Sequence, residues 1–298
     1  MKPYGDRTPD TQYRDRLRQI LDTGVRVSQT PQGIGAITCF GELPPMVFDL
    51  DNGAPLITER KIGFWRKPIA EIIAFINGVR TLDELSAYGC DFWEDYRGRG
   101  SSLGLEPDDL GPGSYGGAFH DFPMPDGGSF NQFEHVIEQI KNYPSIRTHL
   151  VSPWIPYYIG RGGHQKAIVS PCHGWLHFRV FGEKLSMRMD QRSADFPIGV
   201  PSNMIQYAAL LLMVAKVTGL QPWKFIHTFA DAHIYENQIE KVKEIIDWDE
   251  KNKTGREPRR LPTLQLNSDA TDLSTFRSDD FEVEDYDPHP KMKIPYAP

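Results

Sequence analysis

Cysteine is scarce in this chain of 298 residues, which contains only Cys39, Cys90 and Cys172. Three is an odd number, and it excludes the paired disulfide framework that stabilises many small secreted domains. We therefore expect a reducing compartment, the cytoplasm. In that compartment one of the three thiols is free to be reactive.

Positive charge is also in short supply, because 33 lysines and arginines stand against 40 aspartates and glutamates. The formal net charge of −7 at pH 7 argues against a nucleic-acid coat and against a polybasic membrane binder. Both of these classes need a dense positive surface. We expect no nucleic-acid partner, although a local basic site for one phosphate is compatible with this balance.

Long hydrophobic runs are missing as well. The longest apolar run, residues 208–215, is much shorter than the roughly 18 residues of a membrane-spanning segment. The first ten residues, MKPYGDRTPD, are charged and contain proline where a signal peptide has an apolar core. With 39% hydrophobic and 24% charged residues, the composition is that of a globular chain, and we expect no membrane partner.

The order of the secondary-structure patterns predicts a single α+β domain over residues 1–298, with a mostly antiparallel or mixed sheet and packed helices. Apolar residues at helical spacing predict helices over residues 11–24, 68–78, 131–142, 203–219 and 236–246. Alternating runs predict strands within 33–50 (two strands), at 148–154, at 166–171, on both sides of Glu183 and at 225–235. Residues 97–130 are rich in glycine, proline, aspartate and serine, which indicates an irregular surface region around Tyr115.

Cys172 is a candidate nucleophile in the segment SPCHG, next to His173. A thiol reacts as its thiolate, so it needs a nearby positive charge, which Arg192 can supply from the following hairpin. Two alternatives remain open at this point. One is an inert buried cysteine, and the other is a hydrolase that uses Cys172 and His173 as a pair.

The segment QRSADFPIGVPSN, residues 191–203, is typical of a ligand-binding loop, because proline and glycine shape its backbone and polar groups recur along it. Arg192 and Ser193 suit a phosphate, and the amide of Asn203 suits the donor and acceptor edge of a flat heterocycle. The alternative is a polar loop in which Asn203 caps the following helix.

Glu71 is the one charged residue in the apolar helical segment EIIAFING, residues 71–78. An ionised carboxylate is costly to bury among isoleucines. The side chain must therefore face either a polar cavity or, at the edge of the helix, the solvent.

Several blocks of the sequence together resemble the thymidylate synthase family, in the family's order and over essentially the whole chain. They are PLITERK (55–61), EIIAFING (71–78), DFWEDY (91–96), LGPGSYGGAF (110–119), PCH (171–173), QRSADFPIGVPSN (191–203), FIHTFADAHIYENQIE (225–240) and YDPHP (286–290). Each block alone is a weak signal, but a chance match to several spaced motifs is improbable.

The resemblance implies folate-dependent one-carbon transfer to C5 of a pyrimidine nucleotide, with conversion of dUMP to dTMP as the leading hypothesis. The implied co-substrate is 5,10-methylenetetrahydrofolate, and no metal is implied. Cys172 matches the nucleophile that adds to C6 of the base, and Arg192 favours its thiolate. Glu71 matches the carboxylate that moves protons at the base carbonyl and the methylene, and Tyr115 matches a residue that assists removal of the C5 proton.

The resemblance also implies two sets of binding residues. The nucleotide set is Arg192, Ser193, Asn203, His233, Tyr235 and Arg147. The folate set is Asp195, Trp93, Glu71 and Ile198. In the nucleotide set, Arg192 and Ser193 match phosphate ligands, and Asn203 matches the residue that reads the uracil edge. His233 and Tyr235 match the pair that binds the sugar hydroxyl.

Members of this family are homodimers whose sheets pack back to back and whose phosphate-binding arginines cross the interface. Arg147 matches one such arginine, since several guanidinium groups hold a dianionic phosphate best. The last residues, about 287–298, resemble the family's closing tail, which folds over the folate and excludes water.

The chain departs from the family pattern at several positions. Thr148 stands where a second arginine is usual, and the glycine-rich loop QTPQGIGA contains no arginine. An extra loop, residues 157–165, offers Arg161, His164 and the adjacent Lys166 as replacement charges, although a solvated loop is the favoured interpretation.

Ala74 and Ser202 stand where aromatic residues are common, and this change motivates an alternative product. In a nucleotide 5-hydroxymethylase, water captures the methylene, and smaller side chains would admit that water. The substrate would be dUMP or, with less support, dCMP or CMP, because Asn203 favours uracil over cytosine. A remoter alternative is a catalytically idle relative that binds a nucleotide or RNA.

Overall fold

The computed structural model describes residues 1–297, so Pro298, the last residue of the predicted closing tail, lies outside the described residues. The seven α-helices within residues 1–297 are α1 Gln12–Thr23, α2 Arg66–Ile76, α3 Leu82–Tyr88, α4 Tyr115–His120, α5 Gln132–Asn142, α6 Gly199–Thr218 and α7 Ile239–Ile246. All five predicted helices are present. Helix α6 begins four residues earlier than predicted, because Pro201 in its first turn needs no intrahelical hydrogen-bond acceptor.

One mixed sheet organises the part of the chain that the structure describes. Its seven strands are β1 Val25–Val27, β2 Ala36–Phe40, β3 Met46–Asp49, β6 Leu150–Val151, β7 Trp175–Phe181, β8 Lys184–Asp195 and β9 Gln221–Tyr235. The order is β1-β2-β9-β8-β7-β6, and β3 also pairs with β9. Every pair is antiparallel except β8 with β9. The predicted α+β class with a mixed sheet is therefore confirmed.

Within residues 1–297, three short two-stranded sheets lie outside this one. They are formed by β4 Phe122–Pro123 with β5 Ser129–Phe130, β10 Trp248–Asp249 with β11 Thr254–Gly255, and β12 Thr263–Leu266 with β13 Phe281–Glu284. The main sheet and the helices share one large hydrophobic core.

The parallel pair β8 and β9 is joined by α6, because parallel strands need a crossover connection. Helix α6 is apolar on almost all sides and is packed against α2 and the sheet. Its length and composition would fit a membrane span, but most of its residues are buried within the fold, as in a core helix. The crossover brings the carboxyl ends of β8 and β9 to the same edge of the sheet.

The prediction of an irregular surface region around Tyr115 is wrong. Residues Tyr115 to Phe119 are buried in helix α4. The sequence hides this helix because Gly116 and Gly117 are poor helix formers. A Cβ atom at Gly116 would fall on the carbonyl oxygen of Val79, and one at Gly117 on that of Pro112. The two glycines therefore allow close packing of α4 against neighbouring backbone.

The two strands predicted at 148–154 and 166–171 are also largely wrong. Only Leu150–Val151 is a strand in the first segment, and the second contains none. The amide of Ile168 bonds to the carbonyl of Leu110, and the carbonyl of Lys166 accepts from Gly113. The second segment thus satisfies its backbone against an irregular neighbour rather than against the sheet.

We predict that Gly116→Ala destabilises the fold. Overpacking costs about 1–3 kcal/mol, and a clash with backbone belongs at the upper end of that range. Alanine gains only about 1 kcal/mol over glycine in a helix, which leaves a net loss of about 2 kcal/mol. The free energy of unfolding in urea measures this loss. Gly5→Ala is the control, because nothing lies within 4 Å of its new Cβ atom. Equal stability of the two variants would contradict the account of α4.

Candidate active site

A cleft of about 480 Å³ opens where β8 and β9 end, and separate parts of the chain line it. The residues predicted for the site that line this cleft are Glu71, Trp93, Tyr115, Cys172, Ser193, Asp195, Ile198, Asn203, His233 and Tyr235. They come from α2, α4, α6, both central strands and three irregular segments. The fold therefore brings together residues that lie far apart in the sequence.

Cys172 lies in the wall of the cleft beside Arg192. A guanidinium nitrogen of Arg192, Nη2, is 3.5 Å from the Cys172 Sγ atom. The same guanidinium donates to the carbonyls of Ser170 and Pro171 at 2.8 Å each, which fixes its position. Burial raises the pKa of the Cys172 thiol, and the positive charge of Arg192 opposes that rise. An inert cysteine in an apolar core would have no such counter-charge.

Tyr115 supports the backbone of the nucleophile. Its hydroxyl oxygen accepts hydrogen bonds from the amides of Cys172 and His173, at 2.7 and 3.4 Å. Its ring stacks between Phe75 and His173, with centroid separations of 4.8 and 4.6 Å. Burial raises the pKa of Tyr115, so its side chain is a neutral phenol near neutral pH.

His173 does not pair with the neighbouring thiol. Its Nδ1 atom lies 2.7 Å from the hydroxyl oxygen of Tyr207. Burial and the charge of Arg192 lower the pKa of His173 to about 3, so the ring is neutral near pH 7. A hydrolase needs this imidazole within hydrogen-bond reach of the thiol. The geometry therefore gives the Cys172 and His173 hydrolase no support.

Glu71 faces the cleft rather than the solvent, since only 7% of its surface is exposed. Its two carboxylate oxygens accept hydrogen bonds from Trp93 Nε1 and Gln206 Nε2, each at 2.6 Å. Burial raises the pKa of Glu71 to about 7, and these two donors limit the rise. Of the two predicted settings for this carboxylate, the polar cavity is correct and the solvent-facing helix edge is wrong.

Asn203 lies inside α6, because the helix starts at Gly199, and it is therefore not a cap. The prediction of a loop over residues 191–203 is wrong, because Gln191 to Asp195 form the end of β8. Asn203 Oδ1 accepts from Gln191 Nε2 at 3.0 Å, and Asn203 Nδ2 donates to Gln206 Oε1 at 2.9 Å. Sequence reasoning assigned no role to either glutamine, although Gln206, a glutamine in an apolar helix, gives the same signal that marked Glu71.

The carboxylate of Asp195 lies at the carboxyl end of β8, with His233 paired opposite it on β9. Burial raises the pKa of Asp195, whereas His233 and a hydrogen bond from Gln238 lower it. The Gln238 Nε2 atom lies 3.3 Å from both oxygens of Asp195 and also donates to the carbonyl of Pro295 at 3.2 Å. The chain's last described residues, Tyr296 and Ala297, line the cleft beside this group.

Arg147 is exposed and lies outside its own cleft, between α5 and β6. Its carbonyl is 3.1 Å from His177 Nε2 on β7. The extra loop also does not add charge to the cleft. Arg161 lies beside Arg99 in a separate hollow, and Lys166 donates to the carbonyl of Leu103 at 2.9 Å.

His164 packs on Tyr157 at a ring separation of 4.9 Å, so it too belongs to the extra loop rather than to the cleft. The glycine-rich loop contributes Gln32 to the cleft lining instead of an arginine. The sequence analysis did not identify Gln32, because it looked for an arginine in this loop.

A model of the thymidylate synthase family matches residues 11–298. The chain belongs to the thymidylate synthase family. The resemblance found in the sequence is therefore confirmed, and the protein is a transferase. The family's chemistry is folate-dependent transfer of a one-carbon unit to C5 of a pyrimidine nucleotide, with methylenetetrahydrofolate as co-substrate. Within residues 1–297, no group of three or more histidine, cysteine or acidic side chains is placed to hold a metal ion.

The two small residues that depart from the family pattern occupy different environments. Ser202 lines the cleft, at the start of α6. Ala74 is fully buried on α2 and is not part of the cleft lining. Of the two substitutions, only Ser202 is placed to change the access of water to a bound ligand.

We predict that Arg192→Gln slows alkylation of Cys172 by iodoacetamide at pH 7.5 by about tenfold or more. An opposite charge within about 4–6 Å lowers a pKa by about 1–3 units, and this variant removes it. Mass spectrometry of the modified peptide measures the rate, and Cys39 and Cys90 are buried. Arg188→Gln is the control, because Arg188 is exposed on the same strand and pairs with Asp190. The electrostatic role of Arg192 would be excluded by equal alkylation rates from pH 6 to 9.

Proposed function

We propose that this protein transfers a one-carbon unit from 5,10-methylenetetrahydrofolate to C5 of dUMP and releases dTMP. The observation that carries the proposal is the juxtaposition of Cys172, Arg192, Glu71 and Asn203 in and beside one cleft. A pure binding protein has no use for a thiol held against a guanidinium. The idle relative that binds a nucleotide or RNA is therefore the weaker hypothesis.

The reaction begins with addition of the Cys172 thiolate to C6 of the base. The new carbon–sulfur bond moves electron density to C5 and O4, and C5 becomes the nucleophile that receives the one-carbon unit. Arg192 lies 3.5 Å from the sulfur and favours its ionised form. The C5 proton then leaves, and tetrahydrofolate is expelled from the one-carbon unit. The remaining methylene takes a hydride from that tetrahydrofolate, which becomes dihydrofolate, and the Cys172 thiolate leaves C6.

Proton movements at the base carbonyl and at the methylene are assigned to Glu71. A carboxyl group with a pKa of about 7 can give or take a proton at neutral pH. Tyr115 is assigned to assisting the removal of the C5 proton. Two amides already donate to the oxygen of this neutral phenol, which leaves its O–H free to orient the water that accepts the proton.

The nucleotide is oriented by groups at the ends of β8 and β9. Arg192 from beside the cleft and Ser193 in its lining bind the phosphate, and Gln32 of the glycine-rich loop contributes a further donor. His233 and Tyr235 bind the sugar hydroxyl from the end of β9.

Folate binds over the base in the same cleft. Trp93 forms one wall, Asp195 and Ile198 contact the pterin, and the tail around Tyr296 closes over it. A closed tail excludes water from the methylene intermediate, as lids do in many enzymes.

The alternative product is a 5-hydroxymethyl nucleotide, in which water rather than hydride ends the reaction. The observation in its favour is Ser202, a small polar side chain in the cleft lining. The test incubates the protein with methylenetetrahydrofolate and, in separate tubes, dUMP, dCMP, UMP and CMP. We expect dTMP with an equal amount of dihydrofolate in the dUMP tube. A hydroxymethyl product with tetrahydrofolate would establish the alternative, and no product in any tube would refute both.

We propose that the protein is a cytoplasmic homodimer with sheets packed back to back. Support comes from large apolar side chains that are exposed on strands of the sheet: Phe40 at 75%, Leu150 at 54% and Phe181 at 52%. The main support is membership of a family whose members are homodimers. Arg147 is exposed next to β6 and does not line the cleft of its own subunit, which supports a role in the partner's site.

We predict that mixing inactive Cys172→Ser and Arg147→Ala variants restores activity. In a mixed dimer, the Arg147→Ala subunit keeps Cys172 and receives Arg147 from its partner, so one of two sites is complete. With random exchange of subunits, about a quarter of wild-type activity should return, because half of the dimers are mixed. The measurement is turnover after co-refolding, with each variant alone as the control. If activity fails to return while mixed dimers form, Arg147 acts within its own subunit.

A further inference from the structure

Gln206 is fully buried in the second turn of α6, where glutamine is seldom found. Its Nε2 atom donates to Glu71 Oε2 at 2.6 Å. Its Oε1 atom accepts from Asn203 Nδ2 at 2.9 Å. One side chain therefore joins the carboxylate on α2 to the amide on α6 that faces the base in the proposed function.

The orientation of these amides is set by groups that have only one hydrogen-bonding role. The backbone oxygen of Ser193 can only accept, and Gln191 Nε2 donates to it at 3.1 Å. Gln191 must then present the same amino group to Asn203 Oδ1, at 3.0 Å. The amino side of Asn203 consequently points to Gln206.

The far end of this chain of hydrogen bonds is fixed in the same way. The Trp93 indole can only donate, and it occupies Glu71 Oε1. An ionised Glu71 can only accept, so Gln206 must offer it the amino group and turn its oxygen to Asn203. The hydrogen bonds therefore run in one direction, from Gln191 through Asn203 and Gln206 to Glu71.

The fixed orientation of the Asn203 amide determines which pyrimidine base can form hydrogen bonds with it. After these bonds are made, Asn203 retains one N–H and one oxygen lone pair for a ligand. Uracil presents a donor at N3 and an acceptor at position 4, whereas cytosine presents an acceptor at N3 and a donor at position 4. An amide locked in one orientation fits only one of these patterns.

We propose that Gln206 is a positioning residue that locks the amide of Asn203, thereby setting the choice between uracil and cytosine nucleotides, and couples this lock to the protonation of Glu71. The base-choice half rests on the proposed function, because it assumes that a pyrimidine binds against Asn203. The link between Gln206 and Glu71 does not.

The titratable groups that face Glu71 do not change their own charge in the pH range in which Glu71 titrates. Among the described residues, the titratable side chains against its carboxylate are Cys90, from the segment after α3, Tyr115 on α4 and Tyr207 on α6. Burial raises the pKa of all three, so they stay neutral around pH 7. The hydrogen bond from Gln206 favours the ionised form of Glu71, and its loss must move the Glu71 titration to higher pH.

The first test is Gln206→Met, which keeps the length of the side chain and removes both hydrogen bonds. Calorimetry without folate measures the affinities for dUMP and dCMP. We expect the ratio of the two affinities to fall by about tenfold, because the amide of Asn203 then keeps only the bond from Gln191 and turns more easily. Infrared titration of the carboxyl band, assigned by its absence in Glu71→Gln, should move to higher pH.

The matched control is Leu210→Val, a buried change one turn further along α6 that touches none of these hydrogen bonds. It should lower stability and leave both the affinity ratio and the infrared titration unchanged. A purely structural role for Gln206 predicts that Gln206→Met behaves in the same way.

The second variant, Gln206→Glu, separates the two halves of the proposal and conserves the shape of the side chain. Its carboxyl still accepts from Asn203, so the affinity ratio should hold. The ionised carboxylate of the new side chain cannot donate to Glu71, and the two carboxyl groups can form a hydrogen bond only by sharing one proton. When two carboxyl groups lie this close, the pKa of one of them rises strongly. The Glu71 titration should therefore move up while base choice is kept.

An affinity ratio and a titration that both stay at wild-type values in folded Gln206→Met and Gln206→Glu would overturn the proposal. If neither nucleotide binds to the wild-type protein, the proposed function fails, and the base-choice half fails with it. The infrared titration on the same samples then still decides the link between Gln206 and Glu71.

Discussion

The buried carboxylate of Glu71 is the constraint on which the rest of the cleft depends. Taking an ionised carboxyl group out of water costs several kcal/mol unless donors replace the lost hydration. Trp93 and Gln206 are those donors, and both are held at 2.6 Å by elements that must pack against α2 to reach it. The apolar faces of α2 and α6 supply that packing. Core and chemistry are therefore not separable here, since the same helices bury the core and present the polar groups.

The parallel pairing of β8 and β9 provides the second half of the site. Because both strands run toward the same edge, Asp195 pairs with His233, and Ser193 with Asp231 two residues before. Each of these pairs spans nearly forty residues of sequence, and α6 fills the interval. A crossover helix with an almost wholly apolar surface is what this connection requires, since it is covered on all sides. The first turns of that helix are the exception, and there its polar residues meet the cleft.

Much of this arrangement is predictable from the sequence. Periodicity found five of the seven helices within residues 1–297 and the strands around Glu183, and the isolated charge of Glu71 narrowed its setting to a polar cavity or the solvent. Other features were hidden for physical reasons. Helix α4 was not predicted because Gly116 and Gly117 have low helix propensity. These glycines are present because they allow close packing against neighbouring backbone. Gln206 gave a local signal as a glutamine in an apolar helix, but no pattern in one helix tells which residue of another helix faces it. Contacts between distant segments depend on packing, which a one-dimensional pattern does not encode.

The tail also bears on how quickly the cleft can be filled. Pro295 is tied to the buried Gln238 at 3.2 Å, and Tyr296 to Asn237 at 3.4 Å, by bonds within the chain itself. Two such bonds together contribute about 2 kcal/mol, which corresponds to a closed-to-open ratio of about 30. Apparent affinity for any molecule that enters only when the tail is open is then weakened by about the same factor. In the proposed function, the tail would therefore weaken the affinity for an entering molecule in exchange for a dry interior once it is bound.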